Sequence, residues 1–371
     1  MKHYFILLLI MSALTTSCSA SQRQDQTREQ RIASSPQWKG EKFENIEPVV
    51  QPGFSEMVTM GWEFFTQKEK GGTTKEAMPA APLKMEDWAT TQDLQFAWLG
   101  HTTFLFKVEG KWIITDPIFS EKAGAFGFLS PTRYSNLPAG IDDLPTIDVV
   151  LITHNHYDHL DEASIRFLIT ADTHFIAPLA VGKKLEEWGV NPANLTELDW
   201  WQSKQIGPIT VTSAPARHFS GRGLFDHNET LWTSYAIKGT NKNIFLSGDS
   251  GWHKELFEIG EKLGPFDLTF FEMGAYGKYR GWKEIHYTPE ESVKAHQAVK
   301  GKVMVPSHWG TFDLAMFKWS EPIERYIKAA NEAEIQYLTP KIGERIQLDG
   351  KSGNEKWWQE FMEPKTVEAS K

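Results

Sequence analysis

Cysteine is almost absent from this chain: Cys18 is the single one in 371 residues. Intrachain disulfides are therefore excluded, and no thiolate can serve as a metal ligand in the body of the protein. Basic charge is in deficit. Lysine and arginine number 39 against 48 aspartates and glutamates, a formal net charge of -9. That balance speaks against general nucleic-acid binding, because phosphate contacts need clustered Lys and Arg. The apolar run Tyr4–Ala13 is too short to span a bilayer as a stable helix. Tryptophan, by contrast, is plentiful, with 15 residues, and aromatics reach 13%. A Trp-rich core is the simplest explanation; a second is that some indoles sit at a membrane interface. The 40% hydrophobic content suffices for one domain of about 250–300 residues with an extension, or for two small ones.

The beginning of the chain reads as a targeting signal. Lys2 gives a positive start, the apolar run follows, and the segment closes on Leu14-Thr15-Thr16-Ser17-Cys18-Ser19. A small residue before a cysteine at this position suggests a bacterial lipoprotein signal over residues 1–17, cut before Cys18, whose thiol is then lipidated. Leu14 stands one place further from the cysteine than the usual pattern prefers. The alternative is an ordinary secretory signal with an incidental cysteine. Acyl chains on Cys18 would contribute about 0.8 kcal/mol per buried methylene. Ser19 is not the aspartate that favours inner-membrane retention, so the expected place is the outer membrane, facing the periplasm.

Residues 18–40 are polar and read as a flexible tether. Residues 41–90 form an N-terminal extension expected to pack on or near the active site. It includes a helical stretch at 54–66 (Met57, Met60, Trp62, Phe64, Phe65) and a Gly/Pro-rich loop at 70–84. From 91 to 350, short apolar runs alternate with helical stretches, the pattern of sheets covered by helices. Thr288, Pro289 and Glu291 mark one helix start as a capping box with proline at its first position. Residues 351–371 read as a C-terminal tail.

The chemistry is concentrated after one buried-strand run. Asp148-Val-Val-Leu-Ile-Thr153 leads straight into His154-Asn155-His156-Tyr157-Asp158-His159. His154 and His156 can converge on one ion while Asp158 and His159 turn to a second. Imidazole and carboxylate suit Zn, Fe or Mn, and the mixture alone does not choose among them. A polar loop with incidental histidines rarely collects this set. Three other apolar runs end in further candidates: His218, Asp249 and His308. Each alone is weak evidence; four segments in the same relation are strong together.

The HxHxDH signature resembles that of the metallo-β-lactamase superfamily. The likeness extends to one branch, the N-acyl-phosphatidylethanolamine-hydrolysing phospholipases D and their bacterial relatives. It is carried by Trp98-Leu-Gly-His-Thr102, Thr115-Asp-Pro-Ile-Phe-Ser120, Ile152 to Asp161, Glu197-Leu-Asp-Trp-Trp201, Ser247-Gly-Asp-Ser-Gly251, Gly264-Pro-Phe-Asp-Leu268, Gly274-Ala-Tyr276, Pro289-Glu-Glu291 and His308-Trp-Gly-Thr-Phe312. These run in the same order over about residues 95–315. The resemblance implies an αββα sandwich of two mixed sheets flanked by helices. It implies His154, His156 and His218 on one zinc ion, Asp158, His159 and His308 on the other, and Asp249 bridging. It further implies His286 as a helper in catalysis beside Asp249, Asp116 and His101 as residues that orient the ligands, a hydrophobic entry and a homodimer. Two segments depart from the mammalian pattern, Gly277-Lys-Tyr-Arg280 and Phe219-Ser-Gly-Arg222, which puts headgroup and acyl preference in doubt.

The expected activity is phospholipase D-type cleavage of N-acyl-phosphatidylethanolamine to N-acylethanolamine and phosphatidic acid. The same site could instead open a lactone or a soluble phosphodiester, since fold does not fix function. A non-catalytic envelope lipoprotein is the remaining reading. Arg217 and Arg280 could meet phosphate or simply be surface charges.

Overall fold

A computed structural model describes residues 26–50, 53–66, 71–88, 94–124, 127, 130–223, 225–279, 281–348 and 354–362. Cys18 and the segment before it, and Arg280, lie outside the described residues.

Two seven-stranded sheets form the centre. The first runs β14 (Arg345–Gln347), β1 (Gln95–Trp98), β2 (Phe104–Val108), β3 (Lys111–Thr115), β4 (Val149–Leu151), β5 (His174–Pro178), β6 (Leu195–Leu198). The second runs β13 (Gln336–Tyr337), β12 (Gly301–Ser307), β11 (Phe266–Glu272), β10 (Asn243–Leu246), β9 (Ser234–Lys238), β8 (Ile209–Ala214), β7 (Ser203–Ile206). In each, an antiparallel stretch gives way to a parallel one, at β3–β4 and at β10–β11. The two halves of the chain thus repeat one plan.

The period-2 alternation of a strand explains the layering. In and after β4, Val149 and Leu151 point into the core between the sheets, while Val150 and Ile152 join a second core on the outer face. That outer core is closed by Ile165 and Leu168 of α3 (Glu162–Leu168) and Leu185 of α4 (Gly182–Glu187). A strand buried on both faces reads as a continuous apolar run, as this one does. Between the sheets, Phe270 of β11 packs edge-on against Phe96, Phe104 and Phe106, with ring centroids 5.1, 4.6 and 5.2 Å away. On the far side of the second sheet lie α5 (Glu255–Lys262), α7 (Pro289–Ala298) and α8 (Glu321–Glu332), through Ile259, Val293 and Tyr326. The α7 start has the Thr288–Glu291 capping box and Pro289 in its first turn. The architecture is the αββα sandwich.

Two ends of the chain differ from the sequence reading. Within 18–40, the tether gives way to α1 (Arg28–Ser34), capped by Thr27 and Gln30. Its polar residues have partners far along the chain: Arg28 reaches Glu186 and Glu197 at 2.5 and 2.7 Å, and Arg31 reaches Glu197 at 2.8 Å. Composition alone cannot see such a match. Likewise the tail after 351 is in part docked. Trp357 and Trp358 are buried in the short helix Trp357–Phe361, against Trp309. Most described tryptophans are core residues, including Trp98, Trp200, Trp232 and Trp309; Trp62, on α2 (Phe54–Thr66), is two-thirds exposed.

Candidate metal centre

The chemistry-bearing side chains all leave the sheets at one edge. Loops after β4, β8, β10 and β12 deliver His154 to His159, His218, Asp249 and His308; the β1–β2 turn delivers His101, and Asp116 follows β3. The backbone is bent hard to do this. His101, Asp116 and His308 have φ of 53°, 36° and 65°, a region that side-chain-bearing residues seldom occupy and that costs about 1–3 kcal/mol each. Gly274 lets the His308 turn close: a Cβ there would stand 1.7 Å from the His308 carbonyl oxygen.

Three imidazoles meet on one side. His154 Nε2 lies 2.8 Å from His156 Nδ1, and His218 Nε2 lies 3.2 Å from the same atom. Their other nitrogens are largely committed. His218 Nδ1 donates to the Ile285 carbonyl at 3.0 Å, and His154 Nδ1 faces Thr153 Oγ1 at 3.0 Å. That hydroxyl donates in turn to Asp116 at 2.6 Å, so it accepts from His154 and leaves Nε2 as a bare lone pair. Lone pairs of neutral imidazoles converging at this range repel unless a cation stands among them. Burial pushes His154 and His218 well below the ordinary imidazole range and His156 down to about 4, which keeps all three neutral, each with a single N–H.

The other side is a knot of opposite charges. Asp158 Oδ2 lies 2.9 Å from His101 Nε2, 3.4 Å from His159 Nε2 and 3.5 Å from His308 Nε2. Asp249 Oδ2 lies 3.1 Å from both His159 Nε2 and His308 Nε2, and 3.8 and 3.9 Å from His218 and His154. Asp249 therefore stands between the two groups. Its Oδ1 is buried with no hydrogen-bond partner, and His159 Nε2 is near carboxylates without hydrogen-bond alignment. Burial opposes charge on His159 and His308, but Asp249 and Asp158 outweigh it, holding His159 well above the usual value and His308 at about 10. Conversely, these imidazoles hold Asp158 and Asp249 well below the carboxylate range against the burial that would raise them. Without a metal, protons bind this half together. Four ligand-atom groups within 4.8 Å cover all seven proposed ligands together with His101 and His286. The donor set of buried neutral imidazole and carboxylate fits a divalent metal.

Asp116 is the hub behind the ligands. It accepts from the Thr153 N–H at 2.7 Å, the Thr153 hydroxyl at 2.6 Å and His159 Nδ1 at 2.8 Å. A carboxylate on the far nitrogen fixes the ring and its tautomer. His101 touches Asp158 directly, and its backbone carbonyl accepts from the His308 N–H at 3.0 Å. His286 ends α6 (Trp282–Ile285); its ring lies 5.0 Å from His218.

Three features escaped the sequence reading. Glu272, the last residue of β11, is fully buried and faces His286 Nδ1 at 3.0 Å. It has the same strand-end position as the metal ligands, which was the available signal. Thr153 couples Asp116 to His154. Asn45, from the extension, clasps the His218 backbone on both sides: its Nδ2 donates to the carbonyl at 2.7 Å and its Oδ1 accepts the N–H at 3.1 Å. Arg217 is no free phosphate ligand. It donates to the Pro48 and Trp252 carbonyls and lies 3.7 Å from Glu284, pinning the extension down. A cleft of about 600 Å³ opens beside Asn155 and Tyr157, walled by Trp188 and Val181 and rimmed by Lys183, Glu187 and Asp226. Arg222 lies across it, 3.8 Å above the Tyr157 ring.

Comparison with known proteins places this arrangement. The model of the beta-lactamase superfamily domain matches residues 111–309. An uncharacterized protein of Mycobacterium tuberculosis is 36% identical over 334 residues, 87% of each chain. The N-acyl-phosphatidylethanolamine-hydrolyzing phospholipase D 1 of Caenorhabditis elegans is 32% identical over 282 residues, 72% of this chain and 79% of the worm protein. Among solved structures, the isothiocyanate hydrolase from Delia radicum gut bacteria superposes with a TM-score of 0.55 at 19% identity, over 68% of this chain and 98% of that one.

Proposed function

The chain belongs to the metallo-β-lactamase superfamily and is a metal-dependent hydrolase, and on that premise we propose that it cleaves N-acyl-phosphatidylethanolamine as a phospholipase D. The observation that carries this reading is the pair of ligand groups with Asp249 standing between them, joined to the 32% identity with the worm enzyme over most of both chains. His154, His156 and His218 would hold one ion, Asp158, His159 and His308 the other, and Asp249 both. Zinc suits the donors; iron and manganese share the same ligand preferences. When bound, such ions supply Lewis acidity toward the phosphoryl oxygens and lower the pKa of water.

The chain's own residues supply the rest. The phosphodiester has one negative charge, and three basic side chains of the surrounding loops have partners within the protein: Arg217 in carbonyls, Arg222 in the Asn155 and Leu160 carbonyls, Lys278 in Glu63. In this reading the metal centre meets the substrate's charge. Water adds to phosphorus, the phosphorus–oxygen bond to the N-acylethanolamine breaks, and the leaving alkoxide takes a proton. His286 stands where it can supply that proton, with Asp116 and His101 keeping the ligands in place. The envelope anchor would be Cys18. The exposed pair Val58 and Trp62, one turn apart on α2, supports an apolar approach to a membrane surface; no helix among the described residues is long and apolar enough to cross one.

A second reading, a water-soluble phosphodiester, is favoured by the charged rim of the cleft beside Tyr157. The experiment is hydrolysis in ¹⁸O-water of N-acyl-phosphatidylethanolamine vesicles, a soluble bis-aryl phosphodiester and a lactone by zinc-loaded protein. The proposal requires N-acylethanolamine release with the label in phosphatidic acid. Turnover of only the soluble diester or the lactone would replace the substrate, and label in the alcohol would refute cleavage at phosphorus.

A further inference from the structure

Glu272 occupies a place where a carboxylate is costly. It ends a central strand of the second sheet and is fully buried, and no lysine or arginine is among its hydrogen-bond or ion-pair partners in the described residues. One oxygen does all its work: Oε1 accepts the Tyr287 N–H at 2.9 Å and meets His286 Nδ1 at 3.0 Å. The other, Oε2, has no hydrogen-bond partner among the described residues. Its backbone is tied on both sides. The Glu272 N–H donates to Ser247 Oγ at 3.1 Å, and its carbonyl accepts from Ser292 Oγ at 2.7 Å. Such a frame leaves the side chain little freedom. Any neutral acceptor could cap the Tyr287 N–H, and an apolar side chain would suit the burial better. What the carboxylate adds is a rigid acceptor for one imidazole nitrogen.

The ring it holds stands at the mouth of the metal centre. His286 lies 5.0 Å from the His218 ring and 5.8 Å from the His308 ring, and one of its nitrogens is within 4.8 Å of His218 and Asp249 ligand atoms. With Nδ1 committed to Glu272, Nε2 is the nitrogen left to face a bound substrate. We infer that Glu272 is a positioning residue, whose carboxylate grips His286 by Nδ1–H and so presents Nε2 to the leaving oxygen; the imidazolium gives up its Nε2 proton there and returns to the neutral Nδ1–H form. This rests on the phosphodiesterase reading with His286 as proton donor. It parallels the general use of a buried carboxylate to orient a proton-transferring imidazole.

The test uses the full zinc-loaded protein and two substrates that differ in their need for a proton. N-acyl-phosphatidylethanolamine releases an alkoxide, whereas bis(4-nitrophenyl) phosphate releases a phenolate that departs unaided. Glu272→Met should lose about 10²-fold in turnover of the first and under about threefold on the second, the scale of a general-acid contribution. Glu272→Gln, which keeps an acceptor, should recover to within about tenfold of wild type, and metal content should be unchanged in both. A readout independent of turnover is the tautomer of the neutral His286 ring, taken by ¹⁵N NMR on the alkaline side of its titration and assigned by its absence in His286→Ala: Nδ1–H in wild type, Nε2–H in Glu272→Met. Equal losses on both substrates, a silent Met variant, lost metal, or an Nε2–H tautomer in wild type would overturn the inference. If wild type cleaves only the aryl diester, the substrate reading fails, and the tautomer still decides the role of Glu272.

Discussion

Asp116→Asn is the substitution whose effect can be worked most directly from the geometry. Asp116 takes three hydrogen bonds from Thr153 and His159. An asparagine can replace one oxygen toward the Thr153 N–H. Its amide group then turns N–H bonds toward the Thr153 hydroxyl and His159 Nδ1, both of which are donors. One charge-assisted hydrogen bond to His159 is lost, worth about 1.5–3 kcal/mol. At about 1.4 kcal/mol per factor of ten, that is about 10–100-fold, the usual cost of removing an outer partner from a metal-bound histidine. The loss should fall mainly on one ion, because Asp116 holds His159, of the group with Asp158 and His308, directly, and reaches His154 only through the Thr153 hydroxyl. Isothermal titration of metal-free protein with zinc, paired with elemental analysis after dialysis, would read it: two events in wild type, one weakened in the variant, and about one ion retained. Two ions held with wild-type affinity would refute the role given to Asp116.

Other outcomes follow from the same structure. Asn45→Ala removes both clasps on the His218 backbone and should destabilise the protein by about 1–3 kcal/mol, read by urea unfolding, and lower turnover with it. Trp358→Ala, in the aromatic cluster with Trp309, should cost about 3–5 kcal/mol; an unchanged midpoint would show the C-terminal segment to be loosely attached. The metal-free protein should lose stability as pH rises from about 6.5 toward 10, because His159 and His308 are protonated more tightly when folded. That contribution is complete below the unfolded imidazole value and vanishes above the folded one. The depressed Asp158 and Asp249 add a contribution that is present above about pH 4 and fails below it. Thermal melts with and without zinc across this range check both, and a metal-free melt that stays flat to pH 10 would contradict the charged His159–His308 knot.

Much of this was readable in the sequence, for reasons visible in particular residues. The candidate ligands are legible because each comes shortly after an apolar run ends, as His154, His218, Asp249 and His308 all do after β4, β8, β10 and β12. Glu272 comes at the end of such a run too, yet it is easily passed over. The apolar run Leu268–Phe271 ends before it, whereas pairing with β12 carries β11 through Glu272 opposite Ser307. The strands β6, β7, β13 and β14 are polar or very short and exist because their neighbours pair with them, which local pattern does not reveal. The docking of α1 and of Trp357–Phe361 depends on Glu197 and Trp309, far away in the chain. Asn45 could not be singled out for the same reason: its meaning comes wholly from the His218 backbone it grips. Arg217 could meet phosphate on the sequence alone and is spent on backbone carbonyls in the fold.

We propose that two ions sharing Asp249 make this chain a phosphodiesterase for N-acyl-phosphatidylethanolamine. The most direct measurement is N-acylethanolamine release from vesicles as zinc is added back stepwise to metal-free wild type and to Asp249→Asn. Wild-type activity should rise until about two equivalents are bound, and the variant should stay at least about 10³-fold lower, the order expected when metal-based charge stabilisation is lost. Full activity at one equivalent, or a variant as active as wild type, would contradict it.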